Sequence, residues 1–230
     1  KKNEWTHAYD MLAKQGRMHQ HIMKLPSRLF YNQKLELMFD DPNSRQTLEL
    51  KNKFYNVKSK LEEVLTSERT IYIPSKNNED TQFAKTHDYE AEKISYLIRI
   101  LYQVYTKNNI PWDEQTCGII TPFRAQISNI KKYLAFEGLQ DLPIKVDTVE
   151  RYQGSARDII IYSCCVHSIR QLMQLSNESE EGLDKRLNVT LTRAREQIIV
   201  FGDLSVLSES AIYSTLIKEY YNLELEAPLH

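Results

Sequence analysis

The feature that most constrains the fold is a near-continuous apolar run, IIIYSCCV, at residues 159–166. A strand with one solvated face alternates apolar and polar residues, whereas a strand buried on both faces is apolar throughout. The run therefore predicts a central strand of a parallel sheet covered by helices on both sides. Shorter apolar runs at residues 117–121, 144–148 and 198–202 predict neighbouring strands.

Helical periods separate these runs. Between residues 89 and 105, apolar side chains recur three and four positions apart, as on one face of an amphipathic helix. Further helices are predicted at residues 5–14, 19–31, 58–65, 127–134, 183–195 and 207–220, and an edge strand is predicted at 71–74 because Pro74 ends it. Alternating strands and helices predict an α/β fold. Ligands of such sheets bind at the carboxyl ends of the strands, so residues that follow strands are the first candidates.

Composition excludes several classes of protein. The 230 residues fit one large domain with an elaboration, and 30 basic against 31 acidic residues exclude a uniformly basic nucleic-acid coat protein. The chain has no run of about 18 apolar residues, which argues against a membrane span. Its three cysteines, two of them adjacent, are interpreted as buried thiols of a reducing compartment. Because the sequence begins with Lys1 instead of Met, we expect a piece of a longer protein.

Several kinds of chemistry lack their motifs. No phosphate loop of the form G-x-x-x-x-G-K-[ST] occurs, and no G-x-S-x-G supports a small-molecule hydrolase. His19 and His21 point to different faces of a helix, and Cys165 with His167 supplies too few ligands for zinc. What remains is three arginine-containing clusters, QGRMH at 15–19, TVERYQGSARD at 148–158 and RLNVTLTRARE at 186–196. Guanidinium groups are permanently charged forks of donors that suit phosphate oxygens.

In order and spacing, these clusters resemble the second motor domain of superfamily 1 helicases. The similarity is to the branch that holds the nonsense-mediated-decay RNA helicase and the Okazaki-fragment helicase-nuclease, and it covers residues 15–203. QGRMHQHIMKLPSRLFYNQKL resembles the Q-Y-R-M-H-P segment and its following helix. GIITPFRAQISNIKKYL resembles the fourth motif, TVERYQGSARDIIIYS the fifth and LNVTLTRAREQIIVFGD the sixth.

The resemblance implies a RecA-like fold of the P-loop NTPase type, a parallel sheet sandwiched by helices but without its own phosphate loop. It implies one domain over residues 1–230, with an insertion around 40–71. In this family ATP lies between two RecA-like domains, so an N-terminal RecA-like domain of the same protein would be the partner. ATP with Mg²⁺ would be used by the complete protein, and this chain alone would hold neither.

The resemblance also assigns residues. Arg17 and Arg193 are the implied catalytic arginines that reach the γ-phosphate. The implied ATP-binding residues are Arg17, Gln153, Gly154, Arg193 and Arg195. The implied contacts to single-stranded nucleic acid, with DNA favoured over RNA, are Thr121, Pro122, Phe123 and Thr148. We expect no membrane partner, and a location in the cytosol, or in the nucleus of a eukaryote.

Two alternatives stay open. The family's fifth motif usually has Glu where this chain has Ala156, and Gly16, Gln20 and Glu150 also depart from the pattern. A degenerate module that only binds nucleic acid or a protein partner would tolerate such changes. Each candidate also has an ordinary structural interpretation, such as a solvated helix arginine or a hydroxyl that caps a turn.

Overall fold

The computed structural model describes residues 13–39, 41–76, 84–152, 154–176 and 184–225. Its main sheet has six parallel strands in the order β5-β4-β6-β7-β3-β8, and a separate parallel pair joins β1 to β2. The strands in these ranges are β1 (Lys14–Gln15), β2 (Glu36–Leu37), β3 (Thr70–Ser75), β4 (Cys117–Ile120), β5 (Lys145–Asp147), β6 (Arg157–Ser163), β7 (Ala194–Asp203) and β8 (Tyr221–Asn222).

Helices cover both faces of the sheet. They are α1 (Gln20–Phe30), α2 (Lys60–Ser67), α3 (Asp88–Lys107), α4 (Arg124–Phe136), α5 (Val149–Tyr152), α6 (Ile169–Leu175), α7 (Lys185–Leu191), α8 (Leu204–Leu207) and α9 (Ala211–Glu219). A 3₁₀ turn, Leu50–Lys53, precedes α2. None of the helices in the described part of the chain has the length and apolarity needed to cross a bilayer.

The central strand is where its sequence predicts it. β6 is third of six in the sheet, between β4 and β7. Its side chains alternate between two cores: Ile160 and Tyr162 pack with α1, α7 and α9, whereas Ile159 and Ile161 pack with α3 and α4. The doubly buried strand explains the apolar run and confirms the predicted α/β fold. The helix predicted at 89–105 is also confirmed, as α3.

Three predicted elements differ from the structure. β3 is not an edge strand, because the two-residue strand β8 pairs with its residues Ile71 and Tyr72. Pro74 has no backbone N–H to donate, but the pairing with β8 ends at Tyr72, so no hydrogen bond between β3 and β8 is lost. The helix predicted at 183–195 is shorter, since α7 stops at Leu191 and β7 already begins at Ala194. The helix predicted at 5–14 lies mostly outside the described residues, and Lys14 belongs to β1.

One close contact fixes the helix that precedes β6. Tyr152, at the end of α5, lies so close over β4 that a Cβ at Gly118 would stand 2.0 Å from its hydroxyl oxygen. That hydroxyl donates a hydrogen bond of 2.9 Å to the carbonyl of Lys145. Glycine at position 118 therefore lets α5 pack directly on the sheet. The residues from Gly154 onward therefore lie at the edge of the sheet where β6 begins.

Candidate nucleotide and nucleic-acid site

Arg17 and Arg193 converge at the edge of the sheet where β6 and β7 begin. The Nη1 atom of Arg17 donates to the carbonyl of Thr192 at 3.1 Å, one residue before Arg193. The Nε atom of Arg193 donates to the carbonyl of Val189, in α7, at 3.2 Å. Both side chains are half-buried. Two arginines separated by 175 residues in sequence are thus brought side by side.

The turn that carries Arg17 is built on Gln15. Its Oε1 accepts the N–H groups of Arg17 at 2.9 Å and Met18 at 2.7 Å, and its Nε2 donates to the Met18 carbonyl at 3.0 Å. The N–H of His19 then donates to the carbonyl of Arg195 at 2.8 Å, which ties the turn to the first residues of β7. His19 next serves as the N-cap of α1, where its Nδ1 accepts the N–H of His21. The Arg17 backbone is therefore held on both sides.

The two arginines repel each other, and in the described part of the chain neither has a carboxylate partner. Burial lowers the pKa of Arg193, and the positive charge of Arg17 lowers it further. Among the described residues, neither guanidinium group forms an ion pair with a carboxylate, whereas other arginines, such as Arg28 and Arg99, do. Like charges held together are costly unless an anion relieves them. The arrangement is suited to binding an anionic group such as a phosphate.

Gly154 lies at this same edge. It has a backbone φ of +86°, a left-handed conformation that favours glycine, and a Cβ placed there would meet nothing within 4 Å. Three residues later, the N–H of Arg157 donates to the carbonyl of Arg193 at 3.0 Å, so the fifth and sixth motifs meet here. Gln153, the other predicted ATP contact of this motif, lies outside the described residues.

Arg195 is held differently from the other two arginines. It lies within β7 and not on a helix, and its guanidinium donates to Asp158 at 3.2 Å and to Gln115 at 2.9 Å. Burial raises the pKa of Asp158, and the charge of Arg195 opposes that rise. Its assignment to ATP stays a prediction, but this arginine already has a carboxylate partner within the chain.

The predicted nucleic-acid contacts lie at the opposite edge of the sheet. Thr121, Pro122 and Phe123 follow β4, and Thr148 follows β5. Strands advance about 3.3 Å per residue, so the seven residues of β6 separate the two edges by about 20 Å. The expectation that ligand residues follow strands agrees with the position of these four residues. Arg193 and Arg195 instead lie just before and at the start of β7, and Arg17 lies between β1 and α1.

Exposure differs among these four residues. The side chain of Thr121 is 0% exposed, and its hydroxyl finds no hydrogen-bond partner among the residues that the structure describes. Its N–H donates to the carbonyl of Asp147 at 3.2 Å, which links the ends of β4 and β5. Pro122 and Phe123 are half-buried, and Phe123 is the N-cap of α4. Phe123 therefore offers a more accessible contact than Thr121, and the roles of both stay predictions.

Sequence reasoning missed a buried carboxyl group at this second edge. Glu90 accepts hydrogen bonds from the hydroxyls of Ser75 and Ser163 and from the N–H of Cys165, which join the ends of β3 and β6. It is fully buried. A signal existed, because Glu90 precedes Ile94 and Leu97 by four and seven residues and therefore lies on the apolar face of α3. An acid on a buried face needs such partners.

The three cysteines are free and buried, and burial raises the pKa of Cys117 to about 12. A thiol with a raised pKa is a poor nucleophile and a poor metal ligand. The described residues contain no group of three or more His, Cys, Asp or Glu side chains arranged to hold a metal ion. Among the described residues, the arginines at this edge are the groups best suited to bind an anionic ligand.

Comparison with known proteins identifies a family. Residues 1–205 match the family described as an AAA domain. A probable helicase of Dictyostelium discoideum is 29% identical over 222 residues, which cover 95% of this chain and 21% of that protein. Helicase sen1 of Schizosaccharomyces pombe is 27% identical over 230 residues, which cover 95% of this chain and 12% of that protein.

A third relative tests the predicted branch. The regulator of nonsense transcripts 1 homolog of Arabidopsis thaliana is 36% identical over 119 residues, which cover 49% of this chain and 9% of that protein. The resemblance to this branch of superfamily 1 helicases, read from the motifs, is thereby confirmed. The chain spans between about a tenth and a fifth of the length of these three relatives.

Proposed function

The chain belongs to the AAA-domain family, in its superfamily 1 helicase branch, and from this premise we propose that it is the second motor domain of an ATP-dependent helicase. In this proposal residues 1–230 form one RecA-like domain that works with an N-terminal RecA-like domain of the same protein. The track is single-stranded nucleic acid, with DNA favoured over RNA, in the cytosol or in a eukaryotic nucleus. The same family includes much longer proteins, so these properties belong to the whole protein.

One observation carries the proposal: Arg17 and Arg193 lie together without a carboxylate partner in the described part of the chain. ATP bound on the other domain would present its γ-phosphate to this pair. Negative charge shifts among the phosphoryl oxygens as the bond to the leaving oxygen breaks, and preorganised guanidinium groups stabilise that charge. Mg²⁺, when bound, would neutralise phosphate charge from the other domain's side.

Each arginine has a distinct part. Arg193 would act as the arginine finger, because it extends from the end of α7 and is desolvated, which strengthens its interaction with phosphate. Arg17 would contact the γ-phosphate from the neighbouring turn. Gly154 would let the backbone approach the nucleotide, since no side chain stands in that space. Arg195, which is paired with Asp158, would assist the other two arginines in binding ATP.

Nucleic acid would bind at the other edge of the sheet. Phe123 is the N-cap of the 13-residue helix α4 and makes no side-chain cap hydrogen bond, so N–H groups of the first turn would be available to a phosphate. Backbone N–H groups and small hydroxyls hold phosphates without reading the base sequence, and Phe123 could stack on a base. Pro122, Thr121 and Thr148 complete this proposed contact.

A second candidate is a degenerate module that grips nucleic acid but does not hydrolyse ATP. Ala156 favours it, because this residue is buried and replaces the acidic side chain that the family's fifth motif usually has. The retained pair of Arg17 and Arg193 opposes it. An intact phosphate loop with its Asp-Glu pair in the rest of the protein would favour the motor.

The test uses the full-length protein with single-stranded DNA and, separately, RNA. Arg193→Ala and Arg17→Ala should each lower ATP turnover, by about 10³-fold for Arg193, because the arginine acts mainly in the transition state. Nucleotide affinity should stay within about tenfold. Arg28→Ala is the matched control, since Arg28 forms a surface ion pair with Glu219. Unchanged turnover in Arg193→Ala would exclude the proposal, and ATPase activity of the isolated chain would also contradict it.

A further inference from the structure

Gln46 brackets the turn that carries Arg17. Its Nε2 donates to the carbonyls of Gln15 at 2.9 Å and Met18 at 3.0 Å, the residues on either side of the turn. The backbone carbonyl of Gln46 accepts the N–H of Gln20, the first residue of α1, at 2.9 Å. Only 2% of Gln46 is exposed. A buried side chain with this many bonds fixes the backbone that it touches.

The same side chain also holds the neighbouring strand. The Oε1 atom of Gln46 accepts the N–H of Phe39 at 3.2 Å. The N–H of the preceding residue, Met38, donates to the backbone carbonyl of Gln15 at 3.0 Å. The amide of Gln46 therefore uses its donor and its acceptor at once, joining the Arg17 turn to the end of β2. Residues 16 and 17 lie in the turn between the two-residue strand β1 and helix α1. Because β1 and its partner β2 are so short, secondary structure alone constrains this turn weakly.

The segment around Gln46 is anchored to the strand that follows Arg193. The buried Arg69 donates to the carbonyl of Leu48, and through Nη1 to the carbonyl of Glu196 at 2.8 Å. The side chain of Glu196, in β7, forms an ion pair with Lys53. These hydrogen bonds connect the segment of Gln46 to β7, the strand that begins directly after Arg193. The two arginines thus share one support.

We propose that Gln46 is a positioning residue that orients Arg17 toward the γ-phosphate. This inference rests on the proposed function and assigns a role to part of the segment at 40–71, whose role the sequence leaves open. An arginine side chain reaches far from its backbone, so a small rotation of the turn moves the guanidinium by an ångström or more. Misplacement on that scale costs up to about a hundredfold in rate.

The test is Gln46→Leu in the full-length protein, which keeps the side chain's size but removes all its hydrogen bonds. We expect kcat for ATP hydrolysis to fall at least about tenfold, with KM for ATP and affinity for single-stranded DNA changed less than about threefold. In an Arg17→Ala background, the same substitution should lower kcat by less than about twofold, because the residue acts through Arg17. Gln46→Glu, which keeps the acceptor and loses the donors, should show the same pattern.

Gln197 provides a matched control. It is equally buried and donates to two backbone carbonyls, those of Leu65 at 2.9 Å and Glu68 at 2.7 Å, but it holds the end of α2. Gln197→Leu should lower the melting temperature about as much as Gln46→Leu while changing kcat less than about threefold.

The outcomes separate the two proposals. If Arg17→Ala leaves turnover unchanged, the proposed function itself fails. If Arg17→Ala lowers turnover to a level that can still be measured, but Gln46→Leu matches Gln197→Leu or lowers kcat equally with and without Arg17, the positioning role is wrong. Unfolding of both Gln46 variants under conditions where Gln197→Leu stays folded would also overturn it, because Gln46 would then serve the fold alone.

Discussion

At the edge of the sheet where strands begin, the guanidinium groups of Arg17 and Arg193 rest on backbone carbonyls and have no carboxylate beside them in the described residues. At the edge where strands end, the carboxyl group of Glu90 is surrounded by three donors. The first edge leaves positive charge for a ligand to neutralise, whereas the second satisfies its buried acid internally. The first edge is therefore suited to an anionic ligand such as a phosphate, whereas the buried acid at the second edge stabilises the fold beside the proposed nucleic-acid contacts.

The largest expected effect separates the edges by function. Arg193→Ala should lower ATP turnover by about 10³-fold but leave the affinity for single-stranded DNA, measured without nucleotide, within about threefold, because the contacts lie about 20 Å away. Phe123→Ala should do the reverse and weaken DNA binding by about tenfold, the value of one stacked base. Fluorescence anisotropy with a labelled oligonucleotide measures both. Equal loss of DNA affinity in the two variants would show that the edges are not separate sites.

The next effect tests whether the hydrogen bonds of Glu90 at the second edge stabilise the fold. Glu90→Ala leaves two hydroxyls and one N–H without their acceptor, so the free energy of unfolding should fall by about 3 kcal/mol. Glu219→Ala, which removes one partner of a surface ion pair, should cost less than about 1 kcal/mol. Urea unfolding of the chain compares the two. A loss no larger in Glu90→Ala than in Glu219→Ala would mean that the buried network contributes nothing to stability.

A third prediction concerns His19, next to the Arg17 turn, and the loss of stability at acidic pH. Burial lowers the pKa of His19 to about 3, so below the ordinary histidine pKa of about 6.5 only the unfolded chain takes up this proton. Stability therefore falls as the pH drops through this range, and this one group should cost about 2 kcal/mol between pH 7 and pH 5. His19→Asn retains a good N-cap and should remove that part of the pH dependence. An unchanged pH dependence of urea unfolding in this variant would contradict the assignment.

The smallest expected effect comes from alanine substitutions at two glycines, of which only Gly154 belongs to the proposed nucleotide site. Gly154 and Gly138 both have positive φ, +86° and +71°, and a Cβ at either would meet nothing within 4 Å. Alanine at either position should cost about 1 kcal/mol of backbone strain. Only Gly154→Ala should also lower ATP turnover in the full-length protein, because Gly138 follows α4, which packs on the opposite face of the sheet from α1 and α7. Equal turnover in the two variants would remove Gly154 from the nucleotide site.

Much of the fold could be predicted because it depends on local patterns. The apolar run at β6 and the period of α3 each require burial, and both predictions are confirmed. The position of the arginines could not be predicted with the same rule, since the carboxyl-end rule applies to α/β sheets that bind their own ligand. Here the arginines Arg193 and Arg195 lie just before and at the start of β7, which begins at Ala194 and not at the predicted residue 198.

The supporting residues were harder to find. Glu90 had a signal, an acid on the apolar face of a helix, whereas Gln46 lies in an irregular segment where no periodicity distinguishes a buried amide from a solvated one. Arg195 resembles Arg193 in sequence, but its pairing with Asp158 depends on strand register. Contacts between distant segments determine the roles of Gln46 and Arg195, and local sequence does not encode those contacts.

The most direct test of the central claim is a structure of the full-length protein bound to Mg²⁺, ADP and a metal-fluoride analogue of the transferring phosphoryl group. The guanidinium groups of both Arg17 and Arg193 should lie within about 3 Å of the fluoride atoms, at ordinary hydrogen-bond distance. A complex in which either arginine stays farther than about 6 Å away, while the other domain closes over the nucleotide, would contradict the claim that this chain completes the ATP site.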